Sequence, residues 1–110
     1  MVEITVGDVC NVDDIAQFQV DMAMESEGLA LGYERVRRGV QAVIDDDAKG
    51  RYIIARLDGK VVACLMITRE WSDWNCCWYC WIQSVYVLPE HRGRGIYKAM
   101  YNKVLDLAKA

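Results

Sequence analysis

The sequence predicts an α+β fold with element order β-α-α-β-β-β-α and a mostly antiparallel sheet. Three observations carry this. Two helical stretches with apolar residues on one face precede any long strand pattern. An Asp58-Gly59 step between two apolar runs marks a hairpin. A long apolar strand then runs into a glycine-broken loop that opens a final helix. The 110 residues allow one domain at most, read as residues 1–110.

The elements follow in order. Glu3 to Val6 alternates and reads as a short first strand. Asn11 is a suitable N-cap, and Asp13 and Asp14 fall in the first turn, where the helix dipole favours acid. Ile15, Phe18 and Met22 share one face of that helix, which Gly28 and Gly32 break into a loop, Glu25 to Gly32. Tyr33, Val36, Val40, Val43 and Ile44 give a second amphipathic helix, ended by Asp45, Asp46, Asp47 and Gly50. Strands Arg51 to Leu57 and Lys60 to Thr68 flank Asp58-Gly59. A tryptophan-rich turn, Trp71 to Asn75, leads into the strand Cys76 to Val87, which Pro89 ends. The last helix, Ile96 to Ala108, carries two apolar stripes: Ile96, Met100, Val104 and Leu107, and beside it Tyr97, Tyr101, Leu105 and Ala108. That is wider than the stripe a surface helix buries. One stripe packs on the sheet; the other requires a further cover, and a second copy of the chain, a homodimer, is the expected one.

Composition narrows function. A net charge of −3 argues against a broad nucleic-acid interface, although Arg92, Arg94 and Lys98 form a local basic patch suited to a small anion. Hydrophobic residues make up 54 %, above the usual ~45–50 %. The longest apolar runs, such as Val61 to Thr68, are strand-sized, and Met1-Val2-Glu3-Ile4 lacks the pattern of a signal peptide. Neither membrane nor nucleic acid is an expected partner. Of the five cysteines, Cys77 and Cys80 match a ligand or redox spacing by number only. In a strand, residues three apart face opposite ways, and His91 is the only histidine. No metal is expected; reduced core cysteines in a cytoplasmic protein are.

The chemistry lies in Arg92-Gly93-Arg94-Gly95-Ile96-Tyr97. The first amides of a helix lack internal partners and sit at its positive dipole end. Glycines let the backbone approach a phosphate closely, and arginines add forked donors. Read alone, Arg-Gly-Arg-Gly is more often a turn with solvated arginines. Its context decides otherwise. Gln83 to Tyr97, reading QSVYVLPEHRGRGIY, resembles the acetyl-CoA motif of the GNAT N-acetyltransferase superfamily, in which a strand and Val-x-Pro precede Arg/Gln-x-x-Gly-x-Gly/Ala at a helix start.

The resemblance covers the whole chain and implies a GNAT-like (acyl-CoA N-acyltransferase) fold with a mixed, mostly antiparallel sheet. The family continues past this helix with a parallel strand, a helix and a hairpin, so the C-terminal strands are absent from these 110 residues. It implies acetyl-CoA as co-substrate and transfer of its acetyl group to a primary amine by direct attack. The amides of Gly93, Arg94, Gly95, Ile96 and Tyr97 would cradle the pyrophosphate, with Arg92 in the same loop. The strand around Tyr86 would pair the backbone of Val85 and Val87 with the pantetheine arm. An exposed amide of one of these two would polarise the thioester carbonyl. Tyr97 departs from the family's Gly or Ala. Trp81 and Gln83 stand where members carry a base, and neither accepts a proton at neutral pH. The candidate catalytic acids are therefore Glu25, Glu27, Glu70 and Asp73, acting through water. Trp71 and Trp74 either wall the acceptor pocket or pack over the meander, and at least one of Trp78 and Trp81 is expected in the core. The competing function is a non-catalytic CoA-binding or assembly module. No P-loop or dinucleotide fingerprint supports another nucleotide site.

Overall fold

The structure, a computed structural model, describes residues 2–109; Met1 and Ala110 lie outside the described residues. Strand β1 (Val2–Val6) is followed by helices α1 (Val12–Glu27) and α2 (Tyr33–Asp45). Strands β2 (Arg51–Leu57), β3 (Lys60–Ser72) and β4 (Cys77–Val87) and helix α3 (Ile96–Lys109) complete the chain. The predicted order holds. The described sheet is antiparallel throughout, in the order β1-β2-β3-β4, which leaves β4 at one edge.

Two apolar layers sandwich the sheet. On one face Val12, Ile15, Ala16 and Phe18 of α1 and Val40 of α2 pack on Tyr52, Ile54, Cys64 and Tyr86. On the other, Ile96, Met100 and Val104 of α3 pack on Ile53, Ala55, Ala63, Leu65 and Ile67. Strand residues alternate between the layers as the pleat requires. Burial of Cys64 in the first layer pushes its thiol pKa up to about 12, so it stays protonated.

Several local expectations need correction. Asn11 stands at the N-cap of α1 without capping it. Its side chain turns back to accept from the Asp8 amide at 2.8 Å, while Asp8 Oδ1 accepts from Cys10 N at 2.9 Å. The pair closes a short 3-10 turn that feeds the helix. Helix α1 runs on to Glu27, so Glu25 and Glu27 belong to its last turn and the loop begins at Gly28, whose left-handed conformation (φ 62°) ends the helix. Strand β3 continues past Thr68 to Ser72, which puts Trp71 in a strand and the turn at residues 73–76.

That extension has a consequence for the tryptophans and cysteines. Strand β2 stops pairing with β3 at Ile67. Beyond it, Thr68 to Ser72 pairs only with Cys77 to Trp81, a two-stranded ribbon outside both helix layers. Trp78 and Trp81 fall on opposite faces, yet neither serves the core: they are 55 % and 53 % exposed. Cys76, Cys77 and Cys80 on the ribbon, and Cys10 before α1, are exposed as well, leaving Cys64 the one buried cysteine. The ribbon is held by side-chain pairs. The rings of Trp71 and Trp78 meet edge-on at 5.2 Å, Arg69 lies 4.8 Å over Trp78, and Trp81 Nε1 donates to Glu70 at 2.8 Å.

Candidate functional site

Strand β4 changes character at Ser84. Cys64 pairs with Tyr86 and Met66 with Gln83, so two residues, Ser84 and Val85, stand opposite Leu65. Ser84 adopts φ 56°, left-handed for a non-glycine residue. This is a β-bulge, which bends a strand and breaks its ladder locally. It also resets the faces: Gln83 and Tyr86, three apart, both reach the α1 side, while Val85 and Val87 pack toward α3. No sequence feature marks the bulge, because serine carries none of the signal that glycine or asparagine gives for positive φ.

After Val87, Leu88 N donates to Val62 O at 2.9 Å and a 3-10 turn over Pro89–His91 redirects the chain. Gly93 and Gly95 then take φ 78° and 79°, the left-handed region where a side chain is strained. A Cβ built on either meets nothing within 4 Å, so the loop surface is open. The Gly95 carbonyl accepts from Ala99 N at 3.1 Å, the first bond of α3. Among the described residues, no backbone carbonyl outside the regular elements accepts from the amides of Gly93, Arg94 or Gly95. Open donors on a loop leading into a helix N-terminus are the kind of arrangement that accepts an anion. Tyr97, in the first turn of α3, sets its ring 6.2 Å from that of Tyr101, along the helix flank.

The candidate acids separate. Glu25 alone reaches the lower half of β4. Its Oε1 accepts from Arg92 Nη2 at 2.9 Å and its Oε2 from the Tyr86 hydroxyl. The Tyr86 hydrogen bond first, then Arg92, holds the Glu25 carboxyl below the usual range. Desolvation first, then Glu25, pushes the Tyr86 phenol up to about 12. Glu27 follows two residues later on the helix, pointing about 200° away from Glu25. Glu70 sits opposite Tyr79, six residues before Val85, on the order of 20 Å along the strand. Asp73 lies in the ribbon turn. The four are not gathered at one point.

A model of the acetyltransferase (GNAT) family matches residues 17–110. The chain belongs to that family. A possible acetyltransferase from Clostridium difficile 630 is 38 % identical with a TM-score of 0.89, over 97 % of this chain and 70 % of that one. Ribosomal-protein-alanine N-acetyltransferase from Brucella melitensis biovar Abortus 2308 shares the fold at 20 % identity and TM-score 0.81, over 99 % of this chain and 72 % of that one. A predicted acetyltransferase with acetyl-CoA from Clostridium acetobutylicum does so at 17 % and 0.78, over 99 % of this chain and 74 % of that one. No curated protein matches the chain. Among the described residues, no helix of this GNAT chain is long and apolar enough to cross a membrane.

Proposed function

We propose that this GNAT chain binds acetyl-CoA and passes its acetyl group to a primary amine. The observation that carries the reading is the open cradle at Gly93 to Tyr97 beside the edge of β4. The amides of Gly93, Arg94, Gly95, Ile96 and Tyr97 hold the pyrophosphate, and the backbone of Val85 and Val87 takes the pantetheine arm as an added strand. The bulge beside Val85 breaks the ladder locally, and a backbone amide freed there would meet the thioester oxygen, where negative charge develops. The neutral amine nitrogen attacks the carbonyl carbon, the C–S bond breaks, and the proton the nitrogen sheds passes, directly or through water, to the departing thiolate of CoA.

The placement of the acids favours attack by the neutral fraction of the amine. Glu25 has both oxygens engaged, and Glu27, Glu70 and Asp73 lie away from Val85. Without an enzyme base, kcat/KM rises with pH along the acceptor's own pKa. Glu70 and Asp73, with exposed Trp71 and Trp74, suit the far end of a cationic acceptor lying along the ribbon.

Thiol release from acetyl-CoA with a panel of amines, together with a CoA-dependent rise in melting temperature, tests the reading. Coincident melts with and without saturating CoA would remove the donor site. CoA binding without release against any amine would favour a non-catalytic CoA-binding module. The homodimer belongs to the same proposal. Tyr97, Tyr101 and Leu105 form an exposed apolar stripe on α3, which a second copy covers across a two-fold axis. Tyr101→Glu then halves the mass seen by light scattering; a wild-type mass near 12.6 kDa at tens of micromolar would exclude the dimer.

A further inference from the structure

Backbone amides recognise a diphosphate only if the loop that carries them holds one shape. The cradle cannot supply that shape alone, since two of its residues are glycines and its amides lack described backbone partners. The restraint comes from outside. Arg92 Nη2 donates to Glu25 Oε1 at 2.9 Å, reaching the last turn of α1. Its Nε donates to the Val87 carbonyl at 2.8 Å, reaching the end of β4. The same guanidinium lies 5.4 Å over the Tyr86 ring, and the Tyr86 hydroxyl donates to the other Glu25 oxygen. Tyr86 is itself buried, its ring 5.4 Å from Phe18 in the α1 layer. One side chain thus ties the first residue of the loop to a helix, a strand and the core. Arg94, by contrast, makes no ion pair or side-chain hydrogen bond among the described residues.

We infer that Arg92 is a positioning residue that, with Glu25 and Tyr86, holds the glycine loop in its anion-binding shape, while Arg94 presents its charge to the diphosphate. The inference rests on the donor-site reading above. The Nε–Nη2 edge of the Arg92 fork is committed to protein acceptors, which removes the side best suited to bidentate phosphate contact. Glu25, at the end of the helix before the 28–32 loop, thereby belongs to the donor side.

The test needs one readout without ligand and one with it. Order of the Gly93 and Gly95 amides is measured by 15N relaxation in the ligand-free protein, and the dissociation constant for CoA by calorimetry. Glu25→Gln and Arg92→Lys are each expected to loosen the amides and weaken CoA by about three- to tenfold. Lysine keeps the charge but offers one ammonium, which does not span both acceptors. The double variant should bind no more weakly than either single one. Tyr86→Phe, which keeps the buried ring, should show a smaller loss in both readouts. Arg94→Gln should weaken CoA with the amides as ordered as in wild type. The clamp is overturned if Glu25→Gln leaves amide order and affinity unchanged, if it tightens CoA by releasing Arg92, or if Arg92→Lys binds as wild type. A wild-type protein that ignores CoA would sink the donor-site reading instead, and the amide order would still judge the clamp.

Discussion

The two halves of β4 are one continuous strand with opposite assignments. From Cys77 to Trp81 it pairs only with the end of β3 and carries exposed aromatic side chains, none of them in either buried cluster. From Val85 to Val87 it packs against both layers and leads into the glycine loop. The bulge at Ser84 divides them. In the first half the side chains hold the structure and the backbone is plain ladder. In the second Tyr86 is buried, Val85 and Val87 are half-buried, and the backbone is the proposed working part. Apolar content alone therefore says little about burial: Trp78 is more exposed than Arg92, Glu25 or Tyr86 of the clamp.

The largest expected effect on binding breaks the proposed working half. Gly95→Asp puts a side chain on a residue at φ 79° and a negative charge beside the open amides. No atom lies within 4 Å of the new Cβ, so the fold survives, at a conformational cost of about 1–2 kcal/mol. CoA at a hundred times its dissociation constant stabilises a binding protein by about 2.7 kcal/mol. Thermal melts should show that increment in wild type and none in the variant, with the tryptophan emission of the ribbon unchanged in both.

The next effect is one of stability. Met100 is fully buried between α3 and the sheet, and Met100→Ala should cost about 2–5 kcal/mol in urea titration. Trp74, a larger side chain 94 % exposed at the ribbon tip, should cost within about 0.5 kcal/mol when changed to Ser. A loss for Trp74→Ser comparable to that for Met100→Ala would show the ribbon to be part of the core.

This contrast also sets what could be read from sequence. The element order, the Asp58-Gly59 hairpin and the Gly93 and Gly95 loop were legible because each depends on local rules: helical spacing, turn chemistry and positive φ at glycine. The buried stripe of α3 was legible for the same reason. Exposure of the ribbon was not. Periodicity shows which side chains share a face, but not that β3 and β4 outrun β2 and leave the ribbon's aromatic side chains exposed. The Ser84 bulge was hidden because no residue type announces it. Glu25 was legible as an acid near the site, yet its partners, Tyr86 and Arg92, lie 61 and 67 residues away and meet it only through the fold.

Acid should separate the clamp from the rest. The Glu25 carboxyl titrates below its ordinary value of 4.5 because Tyr86, then Arg92, bonds its ionised form. A depressed folded-state pKa gives stability that is present above the unfolded value and lost as pH falls through the folded one. The stability difference between wild type and Glu25→Gln should be constant at neutral pH. It should shrink below 4.5 and vanish as pH falls through the lower value. Comparing the two proteins cancels the groups they share, Asp21 among them. A difference that persists unchanged to the acid limit would mean that Glu25 makes no charged contact.

The smallest effect sharpens the ribbon's side of the comparison. Trp71 and Trp78 stand directly opposite each other, 5.2 Å apart at 72°, an edge-to-face pair on a two-stranded segment. Such pairs contribute about 0.5–1.5 kcal/mol beyond area burial, and half exposure puts this one at the low end. Cross-strand neighbours in contact do not act additively, so a cycle through Trp71→Ala, Trp78→Ala and the double variant isolates the term. A coupling of about 0.5 kcal/mol is expected. Trp71 and Trp74, which share no strand pairing, should give about zero by the same cycle. If Trp71 and Trp78 also give zero, the ribbon is held by its backbone ladder, and its aromatic side chains remain available to whatever binds there.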